Sequence, residues 1–129
     1  MMVNPYQQYR KNVVNTSTPQ ELTLMLYNGL IKNLKLAVQA IGDKDNEGTN
    51  NNLAKSQNIL EEFMGSLNMD YEVLNNLYAL YDYMYRRLID AYIKKDKAVI
   101  EEVIGFAEEL RDTWSQAMKL AKRQQASNQ

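Results

Sequence analysis

The chain has 129 residues, a formal net charge of −1 and 45% hydrophobic residues, which suits one globular domain with a buried core. It contains no cysteine and no histidine, which excludes disulfides, thiolate metal sites, histidine-based acid–base catalysis and histidine-containing triads. Its charge gives no bulk attraction to nucleic acid, and no apolar run approaches the roughly 20 residues of a membrane span, so we expect a cytoplasmic protein without membrane insertion.

The first predicted helix begins at the sequence TPQEL. Thr18 can cap it, Pro19 takes the first helical position, and Glu21 completes a capping box. Gly42 is expected to end this helix, and the sequence GDKDNEGTNN, which begins at Gly42, predicts a polar turn. Steps of three and four residues give the expected buried face: Leu22, Leu26, Leu30, Leu34, Ala37 and Ile41. A second apolar series lies on an adjacent face: Leu24, Tyr27, Ile31, Val38 and Ile41. Together they indicate more apolar surface than one seam of a bundle needs.

Three further helices follow, each with one apolar face. The second covers about 50–67, and its expected inward residues are Leu53, Ser56, Leu60, Phe63 and Leu67. The third covers about 71–94, with Leu74, Leu77, Tyr81, Met84, Leu88 and Ala91 inward. Asp96 can cap the fourth, which is expected to run to about 122 with Val103, Ala107, Leu110, Trp114, Ala117 and Ala121 inward.

These elements predict an all-α protein. No segment alternates with the period of a strand, and four amphipathic helices joined by short turns favour an antiparallel four-helix bundle. We assign the bundle to residues 18–124, an N-terminal arm or short extra helix to 1–17, and a frayed tail to 125–129.

The charged residues indicate no catalytic or metal site. The carboxylates of the fourth helix fall beside Arg111 on its polar side, which is typical of a solvated face: Glu101, Glu102, Glu108, Glu109 and Asp112. Without histidine, the Glu-x-x-His motifs of paired-metal bundles are impossible, so no cofactor is implied. The lysine clusters are too narrow for a nucleic-acid footprint, so no nucleic-acid partner is expected.

Four tyrosines of the third helix fall seven residues apart: Tyr71, Tyr78, Tyr85 and Tyr92. They are either the edge of the bundle core, with hydroxyls reaching water, or a surface that a partner covers. Two further features each have two interpretations. Arg86 can pair within its helix with Asp82 or Asp90, or it can bind a partner's carboxylate. Gly29 either lets a neighbouring helix approach closely or opens a shallow groove.

Four segments, taken together, resemble the family of FliS-type flagellin export chaperones. They are NPYQQY, STPQELTLMLYNGLIKNL, NLYALYDYMYRRLIDAYIKKD and VIEEVIGFAEELRDTWSQAM, in this order along nearly the whole chain. The resemblance implies a helical bundle that is not an enzyme and that binds flagellin's disordered C-terminal segment in exterior apolar grooves. It also implies docking on the cytoplasmic domain of the export gate, and an N-terminal arm that covers part of the client surface. The stretch MGSLNMDYEVLNN departs from the family's longer, glycine-containing turn.

The residue patterns and the resemblance together predict two sets of site residues. The client-binding set is Met25, Leu26, Asn28, Gly29, Tyr78, Tyr85, Arg86 and Tyr92. The set for docking on the export gate is Tyr6 and Tyr9. A homo-oligomeric bundle acting as a structural or regulatory interaction protein is the alternative, and the free protein is expected to be a monomer or a dimer.

Overall fold

The computed structural model describes residues 17–128, which form four helices. Helix α1 spans Pro19–Gly42, α2 spans Asn46–Ser66, α3 spans Glu72–Lys94 and α4 spans Lys97–Ser127. This part of the chain contains no strand. The predicted all-α four-helix bundle is therefore confirmed, whereas almost all of the predicted N-terminal arm lies outside the described residues.

Side-chain caps determine where the helices begin. The Thr18 hydroxyl accepts the N–H of Glu21 at 3.1 Å, and the Asp96 carboxylate accepts the N–H of Ala98 at 3.0 Å, both as the sequence predicts. Asp45 caps α2 in the same way, accepting the N–H of Gly48 at 2.9 Å. Helix α2 consequently starts at Asn46, four residues before its predicted start, and the polar turn shrinks to residues 43–45.

The helices pack in a ring in chain order. Each packs on its neighbours in sequence, and α4 closes the ring by packing on α1. Helices α1 and α3 face one another across the core, where the hydroxyls of Tyr27 and Tyr81 lie 2.6 Å apart. Phe63 of α2 stacks on both rings, with centroid distances of 4.6 and 5.2 Å. The prediction that Tyr81 is a core residue is confirmed, since only 2% of it is exposed.

The buried face of α1 lies between its two predicted apolar series. Leu30, Leu34 and Ala37 of the first series are buried, and so are Tyr27 and Ile31 of the second. Leu26, Val38 and Ile41 are half-buried and pack at the edge of the core. Leu22 and Leu24 are half-buried as well. One helix side therefore uses both series as core, which accounts for much of the apparent surplus.

Helix α4 extends beyond the other helices. The Trp114 Nε1–H donates to the carbonyl of Gln20 at 3.0 Å, so α4 is level with the start of α1 at this point. It then continues to Ser127, about 20 Å farther at 1.5 Å per residue. The prediction that Ala117 and Ala121 point into the core is wrong, since both are exposed. Their spacing continues the apolar face of α4, but this part of α4 lies beyond the start of α1, and no other helix within residues 17–128 covers it.

Candidate binding surfaces

The outer side of α3 next to α2 carries most of the large exposed apolar side chains of that helix and of its N-cap. We call it the tyrosine face, and its exposed members are Tyr71 (61% exposed), Tyr78 (37%), Ile89 (40%), Tyr92 (51%) and Ile93 (69%). Spacings of seven, and of three or four, keep these residues on one side of a helix. Soluble proteins rarely expose a contiguous apolar strip without a partner, so this surface is suited to binding.

Tyr85, which the sequence grouped with these tyrosines, has a different environment. Its ring is half-buried against the core, and its hydroxyl donates to the Glu61 carboxylate of α2 at 2.9 Å. That hydrogen bond, with a smaller contribution from burial, raises the pKa of Tyr85. Tyr85 therefore ties α2 to α3 at the edge of the tyrosine face.

A second tie lies near the far end of the same seam. Lys95 adopts a left-handed conformation after α3, with φ of 52°. Its Nζ donates to the Asn50 side-chain oxygen of α2 and lies 4.4 Å from the centre of the Tyr92 ring. The cation covers part of one face of that ring and leaves about half of the residue exposed.

Arg86 lies on the solvent side of α3. Its Nε is 3.2 Å from the Asp82 carboxylate one turn earlier, as one of the predicted pairs requires. The other predicted pair does not form, because Asp90 instead binds Arg87 at 3.1 Å. The Arg86 side chain is 66% exposed and a guanidinium has five N–H donors, so it keeps donors for an incoming acceptor.

The opposite side of α3, facing α4, also carries a tyrosine of the same exposure. Tyr83 is 37% exposed, but its hydroxyl donates to Glu102 at 2.7 Å and its ring packs edge-on against Phe106. Arg87 Nε lies 3.4 Å from the same Glu102 oxygen. The Tyr83 hydrogen bond and the nearby Arg87 hold the pKa of Glu102 below its usual value, against a smaller opposing effect of desolvation. Tyr83 is thus engaged within the molecule.

The predicted site residues of α1 point in different directions. Met25 is 41% exposed and its sulfur accepts the Ser17 hydroxyl at 3.9 Å, whereas Leu26 packs against the core. Gly29 faces α2, where an added Cβ would lie 3.7 Å from Ile59 Cδ1, an ordinary contact. No close approach of helices therefore requires glycine at this position.

Asn28 belongs to a different part of the α1 surface. It lines an open depression of about 350 Å³ on the outer side of α1, bounded by Arg111 of α4. The other lining residues are Ile31, Lys32, Lys35, Leu36 and Gln39. The sequence interpretation did not identify this depression, although Lys32, Lys35 and Leu36 fall within four residues of one another.

The α1 and α3 halves of the predicted client site do not form one pocket. Helix α2 lies between them, with Ile59 facing Gly29 and Glu61 bonded to Tyr85. A ligand that contacts both halves must cross α2. Sequence reasoning also missed Ile89 and Ile93, although their four-residue steps from Tyr85 are the signal that could have placed them beside the tyrosines.

Other predicted features remain as follows. Tyr6 and Tyr9 lie outside the described residues. Within residues 17–128, no helix is long and apolar enough to cross a lipid bilayer. Over the same range, no three acidic residues converge in a way that could hold a metal ion.

Comparison with known proteins gives a consistent result. The family model described as "Flagellar protein FliS" matches residues 2–121. The flagellar secretion chaperone FliS of Bacillus subtilis (strain 168) is 51% identical over 116 residues, covering 90% of this chain and 87% of that protein. The Escherichia coli (strain K12) protein of the same name is 30% identical, covering 84% and 82%. A crystal structure of a flagellar chaperone from bacteria has the same fold, with a TM-score of 0.73, 22% identity and coverage of 88% and 94%.

Proposed function

The chain belongs to the FliS family of flagellar proteins, and we propose that it is a cytoplasmic export chaperone whose client is the C-terminal segment of flagellin. In this proposal the chaperone covers the segment, prevents its premature polymerisation and delivers it to the flagellar export gate. It acts by binding alone and performs no enzymatic reaction.

The observation that carries the proposal is the tyrosine face. A segment that assembles with copies of itself exposes an amphipathic side, so its chaperone must offer a competing apolar surface. The exposed rings of Tyr78 and Tyr92 present apolar area with hydroxyls that still reach polar partners. Such surfaces are typical of protein–protein interfaces, where tyrosine and arginine supply much of the binding energy.

Contacts between α2 and α3 hold the tyrosine face in a fixed position. The Tyr85–Glu61 and Lys95–Asn50 hydrogen bonds join α2 to α3 on either side of Ile89. A binding surface that is already ordered loses little conformational entropy when a ligand binds. Most of the conformational entropy is then lost by the client as it becomes ordered. This loss lowers the affinity per unit of contact area and allows the client to be released.

The direct test is complex formation. The full chain is co-expressed with the C-terminal segment of flagellin and analysed by gel filtration with light scattering. We expect a soluble one-to-one complex at micromolar concentration. A chain that forms only a concentration-independent dimer and carries no client would contradict the proposal and favour the homo-oligomeric alternative.

We further propose that Tyr6 and Tyr9 contact the cytoplasmic domain of the export gate, as the family resemblance implies. The double variant Tyr6→Ala, Tyr9→Ala should keep the client complex and lose secretion of flagellin. Loss of client binding by the variant, or secretion at the unaltered rate, would contradict this role.

A further inference from the structure

We propose that the depression on the outer side of α1 is a second docking site, which takes a carboxylate-bearing amphipathic helix from a protein other than the client. The site lies on the opposite side of the bundle from the seam beside the tyrosine face, so both surfaces can be occupied together. The inference goes beyond client binding and does not depend on it.

The shape of the depression suits one side of a helix. It is an open concavity of about 350 Å³, long enough to take in Asn28 and Gln39 on the same helix. These two residues are 11 positions apart, or about 16 Å along α1. A shallow, open depression of this length suits one side of a helix better than it suits an enclosed small molecule.

Three cations line the depression, namely Lys32, Lys35 and Arg111. Lys32 and Lys35 lie one turn apart on α1, and within residues 17–128 no carboxylate lies within 4.0 Å of either ammonium group. Arg111 faces them from α4. It is held by carboxylates of its own helix, Asp112 at 3.0 Å and Glu108 at 4.0 Å, and is 29% exposed.

The rest of α1 does not neutralise this charge. The only acidic residue of α1 is Glu21, 11 residues or about 16 Å from Lys32 and beyond the Debye length of about 8 Å at physiological salt. Lys32 and Lys35 are therefore the unpaired charges among the lining residues, while the carboxylates of Asp43 and Asp45 belong to an adjoining depression. A partner that brings carboxylates to the two lysines gains electrostatic complementarity, which speeds association and selects against basic partners.

The floor of the depression is apolar, which distinguishes a protein ligand from a phosphate. Ile31 forms part of it and is 4% exposed, while Leu36 stands at its edge with 39% exposed. An inorganic or nucleic-acid phosphate gains nothing from these side chains. An amphipathic helix places an apolar anchor against Leu36 and its flanking acids against Lys32 and Lys35.

The depression and the tyrosine face differ in charge pairing and in apolar area, and therefore suit different ligands. On the tyrosine face, Arg86 is paired with Asp82 at 3.2 Å, and most of the exposed surface is aromatic and aliphatic. On α1 the cations are unpaired and the apolar area is small. A segment suited to one surface matches the other poorly, so each surface is selective.

The test uses a defined probe and the full chain. The probe is an 18-residue helical peptide with one leucine stripe flanked by glutamates, and its partner peptide carries lysine at every glutamate position. Backbone amide signals of the isotope-labelled chain are followed by NMR during titration with each peptide. We expect the acidic peptide alone to shift the signals of residues 28–39 and Arg111, and to do so equally when the flagellin segment is already bound.

Three variants make the result specific. Lys32→Glu with Lys35→Glu should weaken binding of the acidic peptide at least about ten-fold, because two attractions become repulsions. Leu36→Ser should weaken it about three- to ten-fold through loss of the apolar anchor. Lys119→Glu with Lys122→Glu makes the same change of charge on α4, away from the depression, and should leave the affinity unchanged. A circular-dichroism melt of each variant shows that the bundle remains folded.

Several outcomes would overturn the proposal. Equal loss of affinity in the α4 control would indicate nonspecific attraction to lysine. Binding of a 15-nucleotide single-stranded RNA that depends on Lys32 and Lys35 but not on Leu36 would identify a phosphate surface instead. Displacement of the acidic peptide by the flagellin segment would make the depression part of the client site.

Discussion

Helices α1 and α3 have matching inner sides and contrasting outer sides. Towards the core each contributes a tyrosine to the same hydrogen bond, between Tyr27 and Tyr81. Towards solvent, α3 presents a strip of aromatic and aliphatic side chains, whereas α1 presents lysines around a small apolar depression. Two helices that are equivalent in the bundle are thus different as surfaces.

In a simple bundle, the residues that bind partners lie on the outer sides of the helices. Inner residues are constrained by packing, and their identity follows from the helical period. Outer residues are free of that constraint, so a strip of large apolar groups there has no intramolecular reason. The assignment of the client to α3 rests on this contrast.

The largest expected effect is on client binding. The double variant Tyr78→Ala, Tyr92→Ala should lose about 2–4 kcal/mol of binding free energy, because truncated interface tyrosines commonly act as hot spots. Isothermal titration calorimetry with the flagellin segment measures the loss. Tyr83→Ala is the matched control, since Tyr83 has the same 37% exposure as Tyr78 but faces α4. If Tyr83→Ala weakens binding as much as the double variant, the tyrosine face is not the client surface.

The shared inner tyrosine pair should show a non-additive effect on stability. Tyr27→Phe alone leaves the Tyr81 hydroxyl buried without its partner, at a cost of about 1–3 kcal/mol in the free energy of unfolding. Replacing both tyrosines with phenylalanine removes both polar groups and should cost less than the single change. Urea titration of the single and double variants measures this. A double variant less stable than either single one would contradict the account of the pair.

The same pair predicts the response to alkali. Burial holds the pKa of Tyr81 well above its ordinary value, and the pKa of Tyr27 is raised for the same reason. A raised folded-state pKa contributes stability below the unfolded pKa of about 10, and this stability is lost as the pH rises above that value. Unfolding free energies measured up to about pH 11 should therefore fall less steeply in the double phenylalanine variant.

A smaller effect is expected at Gly29, on the α1 half of the predicted site. Gly29→Ala should raise the free energy of unfolding by about 0.5–1 kcal/mol, since alanine is the better helix former and its Cβ makes only an ordinary contact with Ile59. Client affinity should be unchanged if α3 alone carries the client. A stabilised variant with weaker client binding would place the client over α1 as well.

The smallest expected effect concerns the side of α3 that faces α4. The pKa of Glu102 is lowered by the Tyr83 hydrogen bond and Arg87, so its contribution to stability is present above the unfolded pKa of about 4.3. It is lost as the pH falls through the lower folded value. Thermal melts of the protein and of Glu102→Gln should differ at neutral pH and converge in acid. An equal difference at both pH values would show that this carboxylate is not preferentially ionised in the folded state.

The sequence predicts the bundle well because the determinants of helices are local. The Thr18 cap, the Asp96 cap and the buried positions of α2 follow from capping chemistry and from a period of 3.6 residues. The start of α2 was missed because glycine and asparagine have low helix propensity, which the Asp45 cap outweighs. Ala117 and Ala121 were misplaced because periodicity identifies a side of a helix and not whether another helix covers it.

The candidate site was harder to predict because it depends on which helices are neighbours. Sequence spacing indicates that Tyr85 and Tyr92 share a side of α3. It does not show that Tyr85 packs against the core and bonds to Glu61, because both contacts depend on where α2 lies. Likewise, Asn28 and Gly29 are adjacent in sequence, yet one lines the depression near Arg111 and the other faces Ile59. One residue step turns a helix by 100°, so neighbours in sequence serve different surfaces.

The most direct test of the central claim is an NMR titration of the chain, labelled with carbon-13 in its tyrosine rings, with the flagellin segment. The tyrosine rings within residues 17–128 lie on the tyrosine face, in the core and on the side of α3 towards α4, so their signals report on each of these places. The account predicts that the signals of Tyr78 and Tyr92 shift to saturation at one equivalent while that of Tyr83 stays in place. A shift of Tyr83, with Tyr78 and Tyr92 unchanged at saturation, would contradict it.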